Sequence, residues 1–370
     1  MKNELRILSV LPVLGQPRHS KRISMLMDLG FKVEVVAFER DYLKGRLPNC
    51  KIKTLGKIAH GQYLSRIFNL IKILPILRKE IKKNDIVYAY NSDMAYICII
   101  ANWWLNKPIV IEVGDIREIL VSKTIKGRLM RLVDAFFIKK CKLLVATADG
   151  FVNDFYKKWL KVSIPSIILE NKLESPCDED KLIKKQVDSR ITIGYFGLLR
   201  CDWSWNVLKQ LAEINSEKFK IVIAGYPIKP YSLPEKLKGI SNIEFLGQYK
   251  SPDDLASLYG SVDIVWACYP FPKDDEWNWK WARTNRFYES ICYKKPMISL
   301  DGSGDAQVVV DKEIGILVPR EEVKKVVTIL NKVTKKQITH WTANVKSLPE
   351  NIYLFTTEER ELKRAILEII

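Results

Sequence analysis

Arg283-Thr-Asn-Arg-Phe-Tyr-Glu-Ser290 runs straight into Ile291-Cys-Tyr-Lys-Lys-Pro-Met-Ile-Ser-Leu300. The first block reads as a helix opening at Asn285, with arginines around its start. The second passes through Pro296 into a short apolar strand. A helix that empties into such a strand is half of a parallel α/β unit. Outward from this stretch the unit repeats. Strands are expected at Ile191–Phe196, Lys220–Ala224, Ile243–Leu246, Ile264–Ala267, Pro296–Leu300 and Ile314–Val318. Helices at Trp203–Ile214, Pro252–Tyr259, Asn285–Cys292 and Glu321–Leu330 fall between them.

Toward the amino terminus the alternation starts afresh. Apolar runs at Leu5–Leu11, Lys32–Phe38, Ile86–Tyr90, Pro108–Val113, Leu143–Thr147 and Ser166–Leu169 alternate with helical patterns at Arg18–Leu29, Leu64–Ile81, Asp93–Trp104, Ile125–Cys141 and Gly150–Leu160. Near-continuous apolar strands belong to parallel sheets covered on both faces. The polar stretch Glu170–Arg190 between the two series has no periodicity and reads as a linker. The fold expected is α/β, with two Rossmann-like doubly wound domains facing a cleft, at 1–180 and 181–345. Residues 346–370 are expected to form a terminal helix, opened by the capping-box pattern Thr356-Thr-Glu-Glu and packing back toward the first domain.

Composition narrows the function. Of 370 residues, 47% are hydrophobic and 28% charged, which excludes a disordered chain. The longest apolar stretch, Met94 to Leu105, is broken by Asn102 and is too short to span a bilayer. The opening residues flow into a strand rather than a cleavable leader. Seven cysteines without a Cys-x-x-Cys pair fit a reducing cytoplasm better than a disulfide framework, and three histidines at no ligand spacing argue against a resident metal. The net charge is +17, and residues 1–170 hold 30 basic against 15 acidic residues, so the excess sits in the first half. That half is expected to meet a polyanion or an anionic surface, unless the lysines reflect only genome composition.

Four loops at the carboxyl ends of expected strands hold the candidate chemistry. Pro12–His19 has a single glycine, Gly15, and lacks the Gly-x-Gly-x-x-Gly turn of dinucleotide enzymes. Glu112, Asp115 and Arg117 crowd the end of another strand, where a general base would be useful and where a solvated turn is equally natural. Gly197 lets the backbone approach an anion, and Arg200 offers a forked donor. In the opening block, a helix amino terminus beside Arg283 and Arg286 suits a diphosphate, and Glu289, one turn in, suits the paired hydroxyls of a ribose.

These residues resemble the GT-B fold glycosyltransferases, most closely the nucleotide-sugar-dependent family 4 group. The opening block resembles that group's Asn-Lys-x-x-Glu signature, and Tyr293-Lys-Lys-Pro-Met-Ile298 its following strand. Gln16–Val33, Gly194–Gly197, Ile243–Gly247, Leu258–Ile264 and Gly315–Pro319 resemble further landmarks in the same order. The resemblance implies that Glu289 binds the ribose of a nucleoside-diphosphate sugar, that Arg200 and Arg286 contact its diphosphate, and that Gly15 belongs to the active-site loop. It also implies retention at the anomeric carbon. Asp115 stands beside the place of a His-Asp pair, whose histidine is Gly114 here. The first of the family's paired glutamates is Trp281, and the lysine expected after Arg200 is absent. Arg283 or Lys280 could supply that charge.

The reading is a cytoplasmic glycosyltransferase acting without metal or other cofactor. A nucleotide-sugar donor and a saccharide or lipid-linked acceptor are its partners, and a peripheral place on an anionic membrane is the extension. Asp115 is the catalytic candidate. Gly15, Gly197, Arg200, Arg283, Asn285, Arg286 and Glu289 are the donor-binding candidates. His19 is an alternative base. Asp274-Asp-Glu276 could hold a cation or an acceptor sugar, or simply be solvated, and Trp277, Trp279 and Trp281 suit sugar stacking or a core. The basic stretches Leu64–Lys83, with a break expected at Pro75, and Lys123–Lys142 could lie on lipid or pack on the sheet. The competing functions are a sugar-nucleotide epimerase and a basic nucleic-acid-binding protein; no nucleic-acid reading module is visible.

Overall fold

The computed structural model describes residues 4–39, 49–57, 63–177, 189–228, 233–237, 239–268 and 278–370; the side chains of 63–71 and 233–234 fall outside the description. The chain forms two compact units, Met1–Asn171 with Thr356–Ile370, and Lys172–Phe355. Expected divisions at 180 and 345 are displaced because the two crossing segments pair with each other. Leu173 and Leu354 form a parallel bridge, and the Leu173 N–H donates to the Tyr353 carbonyl at 2.7 Å. Residues 178–188 of the expected linker lie outside the described residues.

The first unit contains β1 (Arg6–Leu11), β2 (Lys32–Glu39), β3 (Lys51–Lys57), β4 (Ile86–Tyr90), β5 (Ile109–Val113), β6 (Leu143–Ala146) and β7 (Ser166–Ile168), in the order β3-β2-β1-β4-β5-β6-β7. The second contains β8 (Ile191–Leu199), β9 (Phe219–Pro227), β10 (Ile243–Phe245), β11 (Ile264–Trp266), β12 (Met297–Leu300) and β13 (Gly315–Val318), in the order β10-β9-β8-β11-β12-β13. Every pairing is parallel. β4, β5 and β6 are buried along their whole length, which is why they are apolar without alternation. Both units are Rossmann-like doubly wound sheets. Strand order reverses between β1 and β4 and between β8 and β11, and such crevices accept ligands in open parallel sheets.

Several local features differ from the sequence reading. β3 was not expected; its lysines mark an edge strand, and Lys51 pairs with Glu34 and Lys53 with Glu80. The helix Tyr63–Lys83 continues through Pro75 without ending there. The stretch 150–160 forms a π-helix over Phe151–Trp159. A capping box does occur, but at Thr334 and Gln337, where no helix was expected. The helix Glu358–Leu367 instead has Glu358 accepting the backbone N–H groups of Thr356 and Thr357 at 2.8 and 3.1 Å. It buries Leu362 and Ile366 and packs near β7 in the first unit. One disulfide, Cys177–Cys292, lies within the second unit, which departs from the reading of the cysteines; a sequence separation of 115 gave no sign of the pair. Among the described residues no helix is long and apolar enough to cross a membrane.

Candidate functional site

In the second unit the helix Asn285–Cys292 meets the β8/β11 crevice. Phe287, Tyr288, Ile291 and Cys292 bury one face and fix its rotation. Its cap is Thr284 rather than Asn285, which is the exposed first helical residue. The Thr284 hydroxyl accepts the Phe287 N–H at 3.1 Å and donates to Asp305 at 2.9 Å. The Thr284 N–H also donates to Asp305, at 3.2 Å. Asp305 is wholly buried, and burial pushes its carboxyl up to about 7 even though the Thr284 hydrogen bond and the charges of Arg283 and Arg286 pull it down.

Arg286 lies across the crevice. Its Nη1 donates to the Phe196 carbonyl of β8 at 2.9 Å, and its Nη2 to the Cys268 carbonyl just past β11 at 3.0 Å. The guanidinium also lies over the Tyr195 ring. Among the described residues these hydrogen-bond partners are neutral carbonyls, which orient the guanidinium without neutralising it. Gly197 stands alongside at φ +113°; a methyl group there would lie 3.8 Å from the Arg286 Nη1 and 4.0 Å from the Tyr249 hydroxyl. A side chain on Gly225 would fall 1.8 Å from the Gly197 carbonyl oxygen, so the ends of β8 and β9 approach bare backbone to bare backbone.

Glu289 is one helical turn from Asn285 and half-buried. Its Oε2 accepts the Tyr259 hydroxyl at 2.6 Å. Burial and then the charge of Glu289 raise the pKa of both Tyr249 and Tyr259, so these phenols stay protonated as donors. Gly197, Arg286 and Glu289 are thus brought together, with Tyr249 adjoining both ends of the group. Arg283 is half-buried over the Phe287 ring. Arg200 is exposed just beyond β8 and acts electrostatically on Tyr195. Trp279 and Trp281 are buried, so these two rings serve the core; Trp277 and Asp274-Asp-Glu276 lie outside the described residues.

The first unit holds Gly15 and Asp115. Gly15 has φ +78° in the turn after β1. Asp115 is exposed beyond β5 and lies 3.6 Å from Arg18 in the first turn of the helix Pro17–Asp28. Arg18 also covers Gly114, on which a Cβ would fall 1.7 Å from its Nη1. His19 is buried against Tyr90, and burial followed by the Arg18 charge lowers its pKa to about 3. It is therefore neutral and shielded, which is poor placement for a base. Behind it Glu112 accepts from Arg22 at 2.8 Å and from Tyr88 at 2.6 Å, all three being buried. Glu112 is thus a structural anion.

Sequence reasoning missed Thr284, Asp305, Tyr249, Tyr259 and Arg18. Asp305 had one visible signal, its position directly after Gly302-Ser-Gly304, where a turn admits a carboxylate to a buried corner. A hollow of about 270 Å³ lies elsewhere, beside β3, where Lys53 and Lys83 are already bound to Glu80. Among the described residues no three His, Cys, Asp or Glu side chains are grouped to hold a metal.

Residues 190–335 match the family model described as glycosyl transferases group 1. The chain is 27% identical over 349 residues to the succinoglycan biosynthesis protein ExoL of Rhizobium meliloti, covering 89% of this chain and 85% of that one. In fold it is similar to sucrose-phosphate synthase of Thermosynechococcus elongatus, with a TM-score of 0.71 and 10% identity over 98% and 99% of the two chains. It is also similar to Anabaena HepE in complex with UDP and glucose, with a TM-score of 0.69 and 15% identity over 99% and 100% of the chains.

Proposed function

Starting from a chain that is a glycosyltransferase of the GT-B fold, we propose that its second unit binds a nucleoside-diphosphate sugar at the β8/β11 crevice and that the enzyme passes the sugar to a saccharide or lipid-linked acceptor in surface polysaccharide synthesis. The observation that carries the reading is Arg286, tied to the carboxyl ends of β8 and β11 beside the open backbone of Gly197. A guanidinium anchored by neutral carbonyls, at the amino end of a capped helix, attracts an anion and needs no reorganisation to do so. The diphosphate lies there, and Arg200 and Arg283 add charge from the loop and from the residue before the cap. Asn285 adds a helix-start N–H. Glu289, held by Tyr259, receives the ribose hydroxyls.

As the glycosidic bond to the donor breaks, negative charge grows on the departing diphosphate, and the arginines stabilise it without a metal. Gly15 and Asp115 serve the acceptor side, Asp115 as the carboxylate that orients the acceptor hydroxyl. That hydroxyl attacks the anomeric carbon on the face from which the diphosphate leaves and gives its proton to the departing phosphate oxygen, so the sugar is transferred with retention. ExoL is named for succinoglycan biosynthesis, which supports a polysaccharide product, and HepE was solved with UDP, which supports a uridine donor.

Calorimetry with UDP and UDP-sugars tests the reading. Glu289→Ala is expected to weaken binding about ten-fold, as loss of a charge-assisted hydrogen bond does. Unchanged affinity in that variant overturns the ribose assignment. Conversion of the donor sugar without any acceptor identifies an epimerase instead, and salt-sensitive oligonucleotide binding without a response to nucleotide sugars identifies a nucleic-acid-binding protein.

A further inference from the structure

The helix Ile125–Ile138 turns a row of four apolar residues toward solvent and its one acid toward the interior. Ile125, Leu129, Leu132 and Phe136, spaced along one face, are 85%, 61%, 70% and 59% exposed. Asp134 is fully buried, where it accepts the Tyr96 hydroxyl, and Arg117 in turn donates to that hydroxyl at 3.1 Å. Phe137 stacks on the Tyr96 ring. This inward network fixes the helix rotation, so the exposed stripe is built in. An ordinary surface helix does the opposite. The basic helix Tyr63–Lys83 supplies the contrast within the same unit, since its Ile73, Leu77 and Ile81 are buried.

The stripe is edged by cations. Lys123, Lys126, Arg128, Lys139 and Lys140 are exposed around it, and Lys140 lies over the Phe136 ring. The helix Asn91–Ala101 packs alongside and ends in a turn that presents Trp103 and Trp104, the latter 82% exposed. Trp104 holds φ +66°, a costly backbone for a bulky residue. Arg78 keeps the turn in place by donating to the carbonyls of Ala101 and Trp103 at 3.1 and 2.6 Å.

We propose that this face of the first unit is a docking surface for an anionic lipid bilayer: Ile125, Leu129, Leu132, Phe136 and the two tryptophans enter the headgroup boundary, and the flanking lysines and arginines meet the phosphates. An exposed apolar stripe flanked by lysines and arginines is the pattern of in-plane membrane helices, and tryptophan suits the interface because it has an apolar body and one N–H. Charge complementarity decides the occupant. A second copy of the face would bring like charges together, whereas anionic lipid neutralises them. The surface is separate from the donor crevice, and the inference does not depend on how that crevice is read.

Flotation of the full chain with vesicles tests it. The protein is expected to float with phosphatidylcholine vesicles containing about one third phosphatidylglycerol and to stay behind with phosphatidylcholine alone. Leu129→Ser with Leu132→Ser, and separately Lys126→Glu with Arg128→Glu, each reduce the floated fraction by about five-fold or more. Both pairs are exposed, so the melting temperature and UDP affinity stay as in the parent. A parent protein that remains in the soluble fraction with both vesicle types overturns the proposal, as does flotation unaffected by either pair. A dimer by sedimentation that Leu132→Ser dissociates, without flotation, assigns the face to a second copy and also overturns it.

Discussion

Arg18 fills the space that a side chain at Gly114 would need, with its Nη1 1.7 Å and its Cζ 2.0 Å from where a Cβ would stand. Gly114 is the position at which the resemblance calls for a histidine. A cation from the neighbouring helix therefore stands where that residue's Cβ would be, with Asp115 as its ion-pair partner at 3.6 Å.

Gly114→Ala forces that guanidinium aside, which is feasible because the clash is with the far end of a flexible side chain. The expected result is a fall in kcat of about ten-fold with donor affinity unchanged, because the contact lies in the first unit. Parallel losses in kcat and in donor affinity, measured by steady-state kinetics and calorimetry, would contradict an acceptor-side role for the Arg18–Asp115 pair.

Gly197→Ala is expected to weaken nucleotide binding while leaving the fold intact. Its φ of +113° costs a residue with a Cβ about 1–3 kcal/mol, and the methyl group enters the space between Arg286 and Tyr249. Calorimetry against UDP reads the loss. Affinity equal to that of the parent would place the ligand away from this backbone.

Asp305 and His19 give the two units opposite pH responses. Asp305 titrates near 7 when folded and near 3.8 when unfolded, so the folded second unit binds the extra proton. This group's contribution is fully present below about pH 4 and is lost as pH rises through 7, at up to about 1.4 kcal/mol per pH unit. His19 titrates near 3 when folded against 6.5 when unfolded, so its contribution is lost as pH falls from 6.5 toward 3. Asp305→Asn keeps an acceptor for Thr284 and removes the first slope. Denaturation midpoints of parent and variant measured between pH 4 and 8 should therefore diverge toward neutral pH, in favour of the variant. A constant difference would show that Asp305 is ionised throughout.

Arg22→Met leaves Glu112 charged, buried and without its cation. Breaking such a pair costs about 3–5 kcal/mol, enough to lower the urea midpoint of the first unit severely. The double variant Arg22→Met with Glu112→Leu should recover much of the loss, because an apolar pair has no charge to desolvate. Failure of the second change to rescue would mean that the arginine acts through packing alone.

The α/β class and the strand succession were legible because buried parallel strands such as Ile86–Tyr90 and Ile109–Val113 are apolar without interruption. β3 was hidden because Lys51–Lys57, with three lysines and a glycine in seven residues, has no apolar run to mark it. In the donor crevice Gly197, Arg286 and Glu289 could be picked out because their types suit an anion and a diol at a strand end. Their supports could not. Thr284 and Asp305 are 21 residues apart and meet only through tertiary packing, and Tyr259 and Glu289 are separated by 30. The helix Ile125–Ile138 was read as amphipathic, yet periodicity alone could not tell which face turns inward. Asp134, buried with Tyr96, decided that.

The return of Thr356–Ile370 to the first unit has a consequence for biogenesis. On the ribosome, all of Lys172–Phe355 emerges before Leu362 and Ile366 are available to cover the sheet near β7. The amino-terminal half must therefore wait, partly uncovered, while the other half matures. A nascent chain stalled at residue 355 should recruit a holding chaperone to that sheet, and one stalled far enough downstream for the last helix to clear the exit tunnel should release it.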